Sequence, residues 1–452
     1  MTAAEHNLQH SLDVGTDHSS ELAGAGEPIR IGLTLSGGGF RATLFHLGVV
    51  RMLRDAGLLH RVRFVGGVSG GAILAAHLGL AWDRYVGPDD SFDRAAAEIV
   101  QFCQRDVRNR ILRRWLLGWL TLVGRVFFKL SRVRLLISEY ETLFGKKSLR
   151  DLNPTVEIDR PRIILQSVVL STGNPCSFGR SGFMWYEPDA NGHLQEREVS
   201  KQTSHLSVAL AVAASSAFPP LFPPLRISRD LLHVGVNELP HALFVTDGGV
   251  YDNLGIERPL WYYEAEKLKA AGPKDVLDAF LVSDAGGLFD WSLQSFNFSL
   301  PRNLRATEIM MKRVGELLDR WLTSRAAHTL VRIRIDASVD DRLAGVVPAA
   351  AQRKVGRIRT DLNAFTPLEA ESLMRHGYAV AREALIAQGW MTARQPIGNI
   401  CPVPATKPEA GEWARTLEKS SSSGVVGLFA LTDWPIWLVV LGMALAAAIC
   451  YR

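Results

Sequence analysis

The stretch Phe64-Val65-Gly66-Gly67-Val68-Ser69-Gly70-Gly71 constrains this chain more than any other. Four glycines fall within six residues, where an apolar run gives way to the helix-like run Ala72–Trp82. Glycine weakens any regular element, so such a cluster marks a place where the backbone turns sharply and a bulkier residue would collide. Ser69 sits inside it in a G-x-S-x-G pattern, Gly67-Val68-Ser69-Gly70-Gly71. A sharp strand-to-helix turn of this kind exposes the serine hydroxyl beside the first amides of the new helix, which favour negative charge.

The context fits that turn. Ile29–Ser36 reads as a buried strand followed by three glycines, and 43–58 has helical spacing with Gly57 as its stop. Val62–Gly67 is a second short strand and Ala72–Trp82 a second helix. A β–α–β–α order implies a parallel sheet with covering helices. Later strands are expected at 162–171, 242–247, 278–284 and 330–336, and helices near 204–215, 258–271, 304–326 and 367–388. No internal repeat is present.

A serine nucleophile at neutral pH needs a base, and the oxyanion it creates needs donors. Gly37-Gly38-Gly39, directly after the first strand, can converge backbone N–H groups on one anion. Arg41 either binds a phosphate or braces that loop. The same segment satisfies a dinucleotide fingerprint, but the second strand ends in Gly66-Gly67, where that reading requires an acidic residue. The four cysteines lack metal-ligand spacing and fit a reducing compartment rather than a disulfide framework. Of the twelve histidines, His46 and His77 lie in helix-like runs, and His205 and His241 have no special setting. Two aspartates fit better as the base. Asp247, followed by Gly248-Gly249, and Asp284, followed by Ala285-Gly286, each end a strand, where a half-buried carboxyl rises toward the range of a general base. The ordinary alternative for either is a turn aspartate.

Together, Gly37-Gly38-Gly39-Phe40-Arg41, Gly67-Val68-Ser69-Gly70-Gly71 and Asp247-Gly248-Gly249 resemble the motifs of the patatin-like phospholipase family, in the family's order. Residues 211–224, Ser-rich and then Pro- and Phe-rich, resemble a further family segment, and the likeness spans roughly 28–390. Ser36 stands where many members have Asp, and Ala42 where many have Gly. The resemblance implies a three-layer α/β/α fold around a mostly parallel sheet. It also implies a Ser69–Asp247 dyad without histidine, metal or cofactor, an oxyanion loop at Gly37, Gly38 and Gly39, and acyl-lipid substrates. Asp284 becomes the internal control.

The net charge of +5 is uneven. Residues 105–134 hold nine Lys/Arg against one acidic residue, so the rest of the chain is net acidic. This stretch also carries Trp115, Trp119, Phe127 and Phe128, and no span of about 20 residues in it is free of charge. It reads as an interfacial helix on anionic lipid, ahead of a core helix with snorkelling arginines or a nucleic-acid patch; no nucleic acid is expected. Residues 1–28 read as a disordered arm, 29–390 as the hydrolase domain and 391–423 as a linker. Residues 424–452 read as a C-terminal transmembrane anchor, whose uncharged run is Trp434–Tyr451. With no signal peptide at the start, the catalytic domain is expected on the cytoplasmic side. The reading is a phospholipase A or lysophospholipase. The alternatives are a hydrolase of soluble esters or thioesters, or a silent lipid-binding protein.

Overall fold

The structure, a computed structural model, describes residues 29–120, 131–153, 160–188, 194–198, 203–219, 221–257, 277–286, 299–326, 330–340, 346–391 and 410–422. In chain order the elements are β1 (Ile31–Leu35), α1 (Gly39–Asp55), β2 (Val62–Val68), α2 (Gly70–Val86), α3 (Asp89–Cys103), α4 (Val107–Leu120) and α5 (Arg132–Phe144). Then come β3 (Arg162–Val169), β4 (Pro175–Gly179), β5 (Gly182–Pro188), β6 (Leu194–Glu198), α6 (Val208–Ser215), β7 (Leu225–Ile227), α7 (Arg229–Leu232) and β8 (Leu243–Asp247). The last are β9 (Ala279–Asp284), α8 (Ser299–Ala326), β10 (Leu330–Arg334), α9 (Ala349–Val355), α10 (Pro367–Ala387) and α11 (Ala410–Ser422).

The sheet order is β10-β9-β1-β2-β3-β4-β5-β6. From β10 to β3 every pairing is parallel. Alternation along these strands feeds two cores. Ile31, Leu33, Leu281 and Leu165 face the larger one, shared with α1, α2 and α10. Phe64, Ile164, Phe280 and Val282 face the smaller one on the other side of the sheet. This is the three-layer arrangement expected.

Beyond β3 the sheet turns antiparallel through β4, β5 and β6, a wing the sequence reading did not anticipate. β8 is antiparallel too, and its register decides the site. β4 takes one edge of β3 over Ile164–Val168. The other edge is shared: β2 pairs with Arg162–Gln166, and β8 pairs with Ser167–Val169 from the opposite direction. Val68 ends opposite Gln166 and Asp247 opposite Ser167, so the two strands stop facing each other.

Three expectations need comment. The linker at 391–423 is corrected over its last part: residues 410–422 form α11, whose Trp413 and Leu417 are buried in the main core. That i,i+4 apolar pair, just before the serine run, is a helix signal that composition hid. The expected helix at 258–271 and the arm at 1–28 lie outside the described residues. So does the anchor at 424–452; among the described residues no helix is long and apolar enough to cross a membrane.

Candidate active site

Ser69 has φ 50° and ψ −115°, one of three non-glycine residues with positive φ among those described. A side chain is rarely held there, and the surroundings hold this one. Its N–H donates to Ser215 Oγ at 3.0 Å, and that hydroxyl donates to the Gln166 carbonyl at 2.5 Å. The next residue must be small: a Cβ on Gly70 would run into the Gly39 carbonyl, and one on Gly71 into that of Leu35. The glycine loop and the serine turn are thus packed backbone to backbone, with the Thr43 hydroxyl donating to the Gly70 carbonyl at 2.8 Å.

Asp247 is brought to Ser69 by the end-on meeting of β8 and β2. It is 2% exposed. Burial raises its carboxyl to about 7, against the pull of side-chain hydrogen bonding to Ser69 and of the Gly249 N–H. That N–H donates to Oδ1 at 2.7 Å. A Cβ on Gly248 would come 2.6 Å from the Gln166 carbonyl, so Gly248 lets the turn close against β3. The sequence reading took Asp247 for the end of a strand running with the others into a common crevice. Instead its strand runs against them, and it reaches the same level from the other direction.

The loop 37–39 is not equivalent along its length. The Gly37 N–H donates to the Asn253 carbonyl at 3.0 Å, which removes Gly37 from the expected set of oxyanion donors. Gly38 and Gly39 have φ of 143° and 58° and precede the first helical turn of α1. Among the described residues, no acceptor takes the N–H of either. They are the donors left for an anion beside Ser69. Arg41 is buried and donates from Nη1 to the Ile358 carbonyl and from Nη2 to the Ala285 carbonyl, each at 2.9 Å. Burial lowers it to about 10. Of its two expected roles, the structure assigns it the brace.

Three contributors escaped the sequence reading. Asn253 lies between motifs, its carbonyl holding Gly37 and its side chain lying against the Cα of Gly37 and Gly249. Asp252 accepts the N–H groups of Leu254, Gly255, Ile256 and Glu257 at 2.7–3.0 Å, which fixes the loop carrying Asn253. The run of glycines before Asp252 and Asn253 was the available signal. The third is Asp361. Its carbonyl accepts the Phe40 N–H at 2.9 Å, and its backbone fills the space where a Cβ on Gly39 would sit. Its carboxylate is paired with buried Arg108, whose own N–H reaches the Leu362 carbonyl at 3.0 Å. Nothing local in Arg359-Thr360-Asp361-Leu362 announces this.

The histidines examined in the sequence are engaged elsewhere. His46 lies between Ser283 Oγ at 2.7 Å and the Ser36 carbonyl at 3.0 Å, and burial lowers it to about 4. His77 bonds Tyr85 and Glu98, and His205 stacks on His233. The described part of the basic stretch faces inward in part. Val107, Arg108 and Ile111 are buried, Arg105, Arg110 and Arg114 surround Glu139, and Arg113 pairs with Asp106. Residues 121–130 lie outside the described residues.

A model of the patatin-like phospholipase family matches residues 33–260, half of the chain. No curated protein matches it. Among solved structures, a human GIVD cytosolic phospholipase A2 complexed with methyl gamma-linolenyl fluorophosphonate is 14% identical, with a TM-score of 0.43 over 87% of this chain and 59% of that one. VipD from Legionella pneumophila is 14% identical, with a TM-score of 0.34 over 80% of this chain and 67% of that one. The chain therefore spans about three-fifths to two-thirds of these structures' lengths. The family match covers the glycine loop, the serine turn and Asp247-Gly248-Gly249 alike, and the chain belongs to the patatin-like phospholipase family.

Proposed function

We propose that this family member hydrolyses acyl esters of lipids, as a phospholipase A or lysophospholipase, through a Ser69–Asp247 dyad. The Ser69 oxygen attacks the acyl carbonyl while Asp247 takes its proton. The oxyanion forms against the Gly38 and Gly39 N–H groups. Collapse breaks the ester bond, and Asp247 returns the proton to the leaving alcohol. Water then attacks the acyl-serine with Asp247 again as base, and the fatty acid leaves. The observation that carries this reading is the meeting of a strained, partly exposed serine with a buried carboxyl near 7. A carboxyl at that value is half ionised at neutral pH and takes a proton far more readily than an ordinary aspartate. Membrane anchoring through Trp434–Tyr451 belongs to the same reading and rests on sequence alone.

Labelling with a fluorophosphonate probe tests it, comparing wild type, Ser69→Ala and Asp247→Asn after folding is verified by circular dichroism. Labelling is expected in wild type and lost in both variants. Undiminished labelling of Ser69→Ala overturns the assignment. A folded wild type that neither labels nor hydrolyses lipid would make the chain a silent lipid binder.

A further inference from the structure

The crossover helix α8 links β9 to β10. Those strands are parallel, so the helix runs back from the carboxyl edge of the sheet toward its amino edge. Its 28 residues make about 42 Å of helix, against about 17 Å for β10. It is fastened near its C-terminal end. Trp321 packs on the smaller core, and Asp319 pairs with Arg332 of β10 at 2.6 Å. Arg332 also donates to the Asp319 carbonyl at 2.7 Å. The turns before that fastening therefore stand toward and past the carboxyl edge, the edge on which Ser69 lies.

Those turns carry an uncovered apolar stripe. Ile309, Met310, Val314 and Leu317 are 52%, 63%, 38% and 49% exposed. They are four of the nine large apolar side chains exposed among the described residues. At about 100° per residue, Met310, Val314 and Leu317 fall within about 60° of one another, with Ile309 beside them. Arg302, Arg313 and Arg320 fall within about 20° of a common line on the Ile309 side. The helix has six Lys/Arg against three acidic residues. Scattered exposed leucines need no explanation, but four apolar residues in nine beside a cationic line form the pattern of a helix lying in an interface. Charge selects the occupant. A second copy of the helix would set one cationic line against another, whereas an anionic lipid surface complements both features.

We propose that α8 docks the catalytic crevice on an anionic phospholipid bilayer. Ile309, Met310, Val314 and Leu317 enter the interfacial layer, and Arg302, Arg313 and Arg320 meet the headgroups. The inference rests on reading the chain as a lipid acyl hydrolase. It moves the main interfacial role from residues 105–134, whose described cations are largely paired within the chain, to the other end of the sheet.

The test is hydrogen exchange on the full chain, with and without phosphatidylcholine vesicles containing phosphatidylserine. Peptides from 306–320 should gain protection with these vesicles and little with phosphatidylcholine alone. The combined variant Ile309→Gln, Met310→Gln, Val314→Gln and Leu317→Gln should lose that protection. It should also hydrolyse vesicle-borne substrate at least about tenfold more slowly, while its rate on a monomeric short-chain ester is unchanged. Failure to bind the vesicles, or binding without protection of 306–320, overturns the proposal. So does protection that instead grows with protein concentration in the absence of vesicles, which would assign the stripe to self-association. Ser69→Ala keeps the two readings apart. It should retain vesicle-induced protection while losing hydrolysis of both substrates; hydrolysis retained would sink the dyad and leave the docking result standing.

Discussion

Asp247 and Asp284 are the same residue in the same local setting with different neighbours. Each closes a strand, and each accepts the N–H of the glycine two residues on at 2.7 Å. Burial raises both carboxyls. The difference lies in how their strands arrive. β9 runs alongside β1, and Asp284 ends opposite Arg334, with the charge of Arg41 near it. β8 runs against β3 and stops where β2 stops, so Asp247 faces the hydroxyl of Ser69. Turn chemistry makes a buried carboxyl; strand direction decides whether it meets a nucleophile or an arginine.

The sharpest way to break the comparison is to neutralise each carboxyl in turn. Asp247→Asn should lower kcat on a monomeric ester by about 10²–10⁴-fold, the range for loss of a general base. Asp284→Asn should change it by less than about tenfold, because it removes a charge from the Arg41 brace and nothing from the reacting atoms. Steady-state kinetics on folded variants decides. A larger loss in Asp284→Asn than in Asp247→Asn would reverse the assignment.

The next effect concerns the support under the oxyanion loop. Asp361 holds the Phe40 N–H and Arg108 neutralises Asp361. Removing Arg108 alone leaves a buried charge and costs about 3–5 kcal/mol of stability, so the informative variant is Arg108→Met with Asp361→Asn. If the loop shifts, kcat should fall by about 10²-fold with KM nearly unchanged, as for a misplacement of about 1 Å. If the pair only stabilises the fold, thermal stability will move and kcat will not.

This support also shows where the sequence stops being legible. The serine turn, the glycine loop and Asp247-Gly248-Gly249 could be read directly, because each is a local solution to a local problem: a tight turn, a close approach, a carboxyl at a strand end. The parallel strands β1, β2, β9 and β10 were legible from their apolar runs and spacing. What could not be read was relational. Nothing in Leu243–Asp247 states that it runs against β3, and nothing in Arg359–Leu362 states that it lies under Gly39. The choice of Asp247 over Asp284 came from family resemblance, since the local patterns were nearly identical. The committed Gly37 fails for the same reason: its partner, the Asn253 carbonyl, is far away in the chain.

A smaller effect sharpens the electrostatic half of the comparison. A base with a carboxyl near 7 must be ionised to act. On a monomeric ester, kcat/KM should therefore rise about tenfold per pH unit below about 7 and level off above it. Asp284→Asn should keep that limb in place. An activity already flat from pH 5 upward would show that Asp247 is ionised there and that the buried site does not hold its proton.

The smallest effect is on stability, and its sign is the more telling part. Asp247 titrates near 7 when folded and near about 3.9 when unfolded. Ionising it therefore costs the native state more than the unfolded chain. That cost is absent below about pH 3.9, where both states are protonated, and complete above about pH 7. Asparagine never ionises and can still accept from Ser69 and the Gly249 N–H. Asp247→Asn should therefore be more stable than wild type above pH 7, by up to about 4 kcal/mol, and the advantage should fade as the pH is lowered through 7 toward 4. Denaturant unfolding at pH 8 and pH 5 reads the difference directly. A variant less stable than wild type at pH 8 would mean that the site favours the ionised carboxylate, and the raised pKa on which the base assignment leans would have to be abandoned.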